Sequence, residues 1–112
     1  MGISDLRSEA DFHDFLRQSA DRPAVLFKHS TRCPLSAAAL REFEAYARSA
    51  EGVPCARVLV IEQRPLSGFI AEAAGVRHES PQAILFRNGR AVWSASHQAV
   101  TREALARASA GE

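Results

Sequence analysis

The sequence predicts an α/β fold in which a central mixed β-sheet, ending in a C-terminal antiparallel hairpin, is flanked by helices. Two strand-then-helix units follow one another, AVLFKHS with PLSAAALREFEAYARSAEG and then ARVLVIE with PLSGFIAEAAG. The later run QAILFRNGRAVWSAS is two alternating segments joined by Asn88-Gly89, the dipeptide best suited to a tight hairpin turn. A parallel pair joined by a right-handed crossover, then an antiparallel hairpin on the same sheet, satisfies the rules of layer packing and handedness.

Taken in order, SEADFHDFLRQSA offers Ser8 as an N-cap, acidic residues in the first turn, and Phe12, Phe15 and Leu16 at helical spacing. Asp21-Arg22-Pro23 breaks that helix, and the short apolar run AVLFKHS reads as a strand covered on both faces. Pro34 suits a first helical turn, and the alanine-rich stretch behind it places Leu40, Phe43, Tyr46 and Ala47 on one side, with Gly52 as the expected stop. ARVLVIE is a second buried strand, and a second short helix runs from Pro65 to Gly75. After the hairpin, Thr101 caps REALARASA, whose Leu105 and Ala108 form an apolar side; a minor strand is expected within Gly2 to Leu6.

The chain of 112 residues has room for one core, so a single domain over 1–112 is expected. Its net charge of +1 argues against a dedicated nucleic-acid or anionic-membrane binder, and no apolar run has the length of a signal peptide core or a membrane span. Two cysteines, Cys33 and Cys55, are too few for a disulfide framework or a structural zinc site. A reducing, cytoplasmic setting, with no metal and no tightly bound cofactor, is the expectation.

Within that order of elements, Cys33 falls between the end of the first long strand and the start of the next helix. Free backbone N–H groups and the positive end of the helix dipole favour negative charge on its sulfur, and Lys28, His29 and Arg32 add positive potential if their side chains turn that way. The segment Cys33-Pro34-Leu35-Ser36 keeps an attacking thiol but has serine where a Cys-x-x-Cys motif holds the resolving one. A mixed disulfide formed there needs an external thiol to clear it. Cys55 precedes ARVLVIE, at the strand end expected to face away from Cys33, and reads as a small, partly buried residue. Pro81 in HESPQAILF is either a strand-entry proline or a cis proline in a tight turn.

This order of elements resembles the thioredoxin superfamily, and FKHSTRCPLS with HESPQ and the later Ser96-His97 resembles the monothiol bacilliredoxins of the bacillithiol redox system. The resemblance runs over nearly the whole chain. It implies a thioredoxin-like fold, a cis Pro81 lying against the active cysteine, and a monothiol thiol-disulfide oxidoreductase that removes bacillithiol from S-bacillithiolated proteins. Cys33 is then the catalytic nucleophile within a motif of Thr31, Arg32, Pro34, Leu35 and Ser36, with Lys28 and His29 supporting the sulfur or the substrate. His78, Glu79, Ser80, Pro81 and His97 are expected to bind substrate. Bacillithiol enters as co-substrate, and the partners are S-thiolated client proteins and a low-molecular-weight thiol. Where many thioredoxins bury an acid on the strand leading to the nucleophile, this chain has Phe27, so proton transfer through a buried carboxylate is not expected.

Plainer readings stand beside these. His29 alternates with Val25 and Phe27 and can be an ordinary strand residue; His78 and Glu79 can simply cap a turn, and His97 likewise. Trp93, alternating with Ala91 and Ala95, reads as packing, and His13 as a solvated helix residue. A redox sensor or adaptor modified at Cys33 without turnover, a non-catalytic binding module, a glutaredoxin-like protein using another thiol, and iron-sulfur cluster carriage between two chains are the competing functions.

Overall fold

In the computed structural model, which describes residues 2–111, five strands form one mixed sheet in the order β1-β3-β2-β4-β5. Met1 and Glu112, the ends of the expected 1–112 domain, lie outside the described residues. The elements are β1 (Ser4–Asp5), α1 (Glu9–Arg17), β2 (Pro23–His29), α2 (Pro34–Ser49), β3 (Cys55–Leu59), α3 (Arg64–Ala74), β4 (Gln82–Arg87), β5 (Arg90–Ser96) and α4 (Arg102–Ser109), with a single 3₁₀ turn at His97–Ala99. β1 and β2 run parallel to β3, whereas β4 is antiparallel to both β2 and β5. The central strand β2 is buried from Ala24 to His29, as its apolar run through Phe27 requires, and the burial extends to the polar Lys28 and His29.

Alternation along β2 divides the interior in two. Ala24 and Leu26 join Phe12, Phe15, Ala56, Val58, Leu66, Ile70, Ile84 and Phe86 on the face covered by α1 and α3. Val25 and Phe27 join Ala39, Phe43, Tyr46, Leu85 and Leu105 on the face covered by α2 and α4. The caps follow the sequence: the side chains of Ser8 and Thr101 accept from the amides of Asp11 and Ala104 at 3.0 Å each. Gly75 closes α3 in the left-handed region at φ 66°.

Three expectations are corrected, and one turn is added to them. α2 ends at Ser49 with Ala50 as its C-cap, and Gly52 (φ 79°) serves the turn beyond it rather than the helix end. β3 begins at Cys55 and ends at Leu59, because Val60 to Gln63 turn into α3. The turn at His97–Ala99, with His97 at φ 56°, gave no sequence signal. The alternation of Ala91, Trp93 and Ala95 is interrupted: Leu85 pairs with Trp93 but Phe86 with Ala91, so Val92 is an extra residue in β5. That bulge sends Ala91 to the α1/α3 face and Trp93 to the α2/α4 face.

Among the described residues no helix is long and apolar enough to cross a membrane, and no three His, Cys, Asp or Glu residues are grouped as a metal site.

Candidate active site

The parallel and antiparallel partners of β2 bring three loops to one end of the sheet. His29 pairs with Leu59 and Lys28 with Gln82, so the segment after β2, the turn after β3 and the segment before β4 all leave or enter there. The amide of Val60 donates to the His29 carbonyl at 2.9 Å, and Thr31 Oγ1 donates to Glu62 at 3.0 Å. These bonds tie the loop carrying Cys33 to the end of β3.

Cys33 is the N-cap of α2, in extended conformation (φ −119°, ψ 117°), half-buried, with Pro34 at the first helical position. Its carbonyl accepts the first intrahelical bond, from Ala37 at 3.0 Å. Pro34 has no N–H, so the orphan amides of the first turn are those of Leu35 and Ser36, and the Cys33 side chain makes no hydrogen bond to them. The sulfur belongs to the residue at the N-terminal, positive end of the α2 dipole. Arg32 and Pro34 are exposed on either side of it.

Ser36 is fully buried. Its Oγ accepts from the Ser30 amide at 2.9 Å and lies 2.8 Å from Nδ1 of His29. Because the amide can only donate, the Ser36 hydroxyl proton is free to donate to Nδ1 of a neutral imidazole. Ser36 thus locks the end of β2 to the first turn of α2. Burial holds His29 below the usual imidazole range; the Arg57 guanidinium adds to this, and Glu62 and Glu44 oppose it. Phe27, in place of a buried acid, stacks on His29 (ring centroids 5.9 Å apart) and on Phe43 (5.2 Å).

Lys28 points the other way. As the next residue on the strand it faces α3, is completely buried, and its ammonium lies 3.1 Å from Nδ1 of His78. Desolvation pushes this lysine down to about 8. Burial also lowers His78, together with the charges of Lys28 and Arg64 and against Glu79. Lys28 and His29, grouped in sequence as supports for one sulfur, therefore serve opposite faces of the sheet.

The Ser80–Pro81 peptide is cis, as the resemblance implied, and Pro81 is buried. The His97 amide donates to the Pro81 carbonyl at 2.9 Å, which joins the late histidine to the cis-proline loop. His97 also borders a shallow hollow with Leu35, Ala39 and Thr101, on the α2 side. Glu79 lies 3.8 Å from Arg77, and the Ser80 hydroxyl is buried without a partner. Sequence reasoning missed Ser67, 3.4 Å from His78 Nδ1, and Gln82, whose side chain donates to the Arg77 carbonyl at 2.9 Å and braces the loop. The period of two in β2 and β4 was the available signal, since it puts Lys28 and Gln82 on one face.

Cys55 is buried, and desolvation pushes its thiol up to about 11. It pairs with Val25, four positions before His29, which is roughly 13 Å at the usual strand rise. A disulfide tolerates Cα atoms only about 4.4 to 6.8 Å apart, so Cys55 cannot resolve a bond at Cys33 without dismantling the sheet.

Comparison with known proteins agrees with this geometry. The family model described as monothiol bacilliredoxin BrxC matches residues 4–105. Among solved structures, a candidate oxidoreductase with a thioredoxin fold is 32% identical, with a TM-score of 0.87, covering 95% of this chain and 92% of that one. Fasciola hepatica thioredoxin is 18% identical (TM-score 0.78, 97% and 98% covered), and mitochondrial thioredoxin 3 from Saccharomyces cerevisiae 14% identical (TM-score 0.77, 98% and 95% covered). The last two establish the fold alone.

Proposed function

The chain belongs to the monothiol bacilliredoxin BrxC family, and from that premise we propose that it removes bacillithiol from S-bacillithiolated proteins through a mixed disulfide on Cys33. Membership and fold make it a thiol-disulfide oxidoreductase of thioredoxin-like architecture. The Cys33 thiolate attacks the bacillithiol sulfur of the client's mixed disulfide. The bond between the two former partners breaks, the client leaves as a thiolate and takes a proton from solvent, and bacillithiol stays on Cys33. A second low-molecular-weight thiolate then attacks the bacillithiol sulfur, yielding a disulfide of the two small thiols and the Cys33 thiolate. One disulfide is conserved in each exchange: the client sulfur is reduced, the second thiol is oxidised, and bacillithiol stays at the disulfide level throughout.

The observation that carries this reading is the isolation of Cys33. It caps a helix beside free amides, its fourth-position neighbour Ser36 is buried and bonded to Ser30 and His29, and Cys55 is remote. An internal disulfide has no partner, so a chain built this way hands its adduct to an outside thiol. Thr31, Arg32, Pro34 and Leu35 surround the sulfur in this scheme. Ser80 and Pro81 present backbone groups to the client, with Glu79, His78 and His97 on its flanks. We further propose that residues 1–112 act as one domain in the cytoplasm.

The test is transfer of the adduct. Reduced protein mixed with a bacillithiolated client is expected to gain one bacillithiol on Cys33 by intact mass while the client loses it, and Cys33→Ser is expected to abolish both changes. A client left modified by the folded wild-type protein would sink the proposal. Stable modification of Cys33 with no client turnover in excess thiol would identify a sensor instead.

A further inference from the structure

The charge of Lys28 is unbalanced within the protein. Among the described residues the ion pairs are Arg17 with Asp14, Arg57 with Asp5, Arg77 with Glu79 and Arg107 with Glu103; Lys28 and Arg64 belong to none. A fully buried ammonium ordinarily has a carboxylate beside it. Here its partner is an imidazole. Glu62 is bonded to Thr31 and Glu79 lies against Arg77.

An ammonium can only donate, so Nδ1 of His78 accepts and the ring proton sits on Nε2. The imidazole thus becomes a neutral donor backed by a buried positive charge. His78 is exposed and lines a cavity of about 180 Å³ with Arg64, Ser67, Gly68, Val60 and Ile61. Arg64 occupies the first position of α3, whose N-cap Gln63 makes no side-chain bond to the orphan amides there. Arg64 is the charged residue lining this cavity, Glu79 acts on His78 from outside it, the Ser67 hydroxyl can donate, and the volume suits a group of a few atoms.

We propose that this cavity is a carboxylate subsite: one carboxylate of the substrate pairs with Arg64 and accepts from Nε2–H of His78, with Lys28 behind the ring supplying the balancing charge. It lies beside the Thr31–Glu62 link and the loop that leads to Pro81, on the side of the Cys33 segment opposite His97. The preferred substrates are therefore mixed disulfides that carry a carboxylate, on the small thiol or on an acidic client side chain. The inference rests on the proposed function only for the chemistry that delivers the anion.

Two measurements separate the claims. One client peptide, made with Glu or with Gln flanking its cysteine, is loaded with mercaptosuccinate or with 2-mercaptoethanol, and kcat/KM is compared. Wild type is expected to favour the carboxylate-bearing substrate by about tenfold, the worth of one charge-assisted hydrogen bond, and Arg64→Gln to lose that preference while Arg64→Lys keeps part of it. Preference following the adduct places the carboxylate on the small thiol; preference following the peptide places it on the client. Equal rates in wild type, or a preference that survives Arg64→Gln, would overturn the subsite and leave the monothiol reaction standing. Independently of turnover, succinate is expected to shift the His78 ring resonances of the wild-type protein with saturation near the millimolar range, and not those of Arg64→Gln. A ring unmoved by succinate in wild type also overturns the subsite, whatever the protein does to disulfides.

Discussion

Lys28 is the chain's single lysine, and its strand leaves its ammonium no water and no carboxylate. Desolvation lowers it from 10.5 to about 8, and at about 1.4 kcal/mol per unit the charged form costs on the order of 3 kcal/mol below pH 8. The sign follows from proton counts. Between pH 8 and 10.5 the unfolded chain holds the proton and the folded one does not, so the stability of the wild type rises with pH across that window. Lys28→Met is expected to raise the unfolding free energy by roughly 2–3 kcal/mol at pH 7. That advantage is expected to shrink as pH approaches 10.5, measured by denaturant unfolding of both proteins across the range. An advantage independent of pH would mean that the ammonium is not the destabilising group. Retention of a costly buried cation at one end of the sheet is what a ligand site would require.

At the scale of elements, β5 shows where pattern reading stops. Asn88 and Gly89 both sit at positive φ (53° and 76°), as the Asn-Gly signal demanded, and the hairpin forms where expected. The strand that follows nevertheless carries one residue too many, and no local signal marks Val92, which is exposed. Removing Val92 would make Ala91 and Trp93 neighbours, which regular alternation places on opposite faces as they are now, with Phe86 still opposite Ala91 and Leu85 opposite Trp93. Its deletion is expected to change stability by no more than about 1 kcal/mol and to leave the Trp93 emission unshifted, read by chemical unfolding and emission spectra. A large fall in the midpoint or a red-shifted Trp93 would show that the twist introduced by the bulge itself holds the hairpin on the sheet. The helices were more legible because each states its own limits: Ser8 and Thr101 cap, Pro34 and Pro65 enter, Gly75 stops. α2 is the exception at its far end, where the turn, not the glycine, sets the stop.

Over the whole molecule the two thiols report different things. Cys33 is half-buried at a helix entry, while Cys55 is inside the α2/α4 core with its thiol raised to about 11. Cys55 can meet a reagent only when that core opens, so its labelling rate follows the stability of the fold, whereas Cys33 reacts in the native state. Iodoacetamide at pH 8 is expected to add one carbamidomethyl group quickly, mapped to Cys33 by peptide mass, and a second only in denaturant. Rapid labelling of Cys55 in native buffer would contradict the burial described. By itself the sequence determined the order of elements, the hairpin and the lone thiol at a helix entry, because caps, periodicity and turn residues act over a few neighbours. The tertiary structure alone decided which partners each side chain meets: Ser36 with His29, Lys28 with His78 and Ser67, His97 with the Pro81 carbonyl. Those pairings span up to 50 residues, and they depend on strand register and on which face of the sheet each side chain enters, quantities fixed only when all the elements pack together.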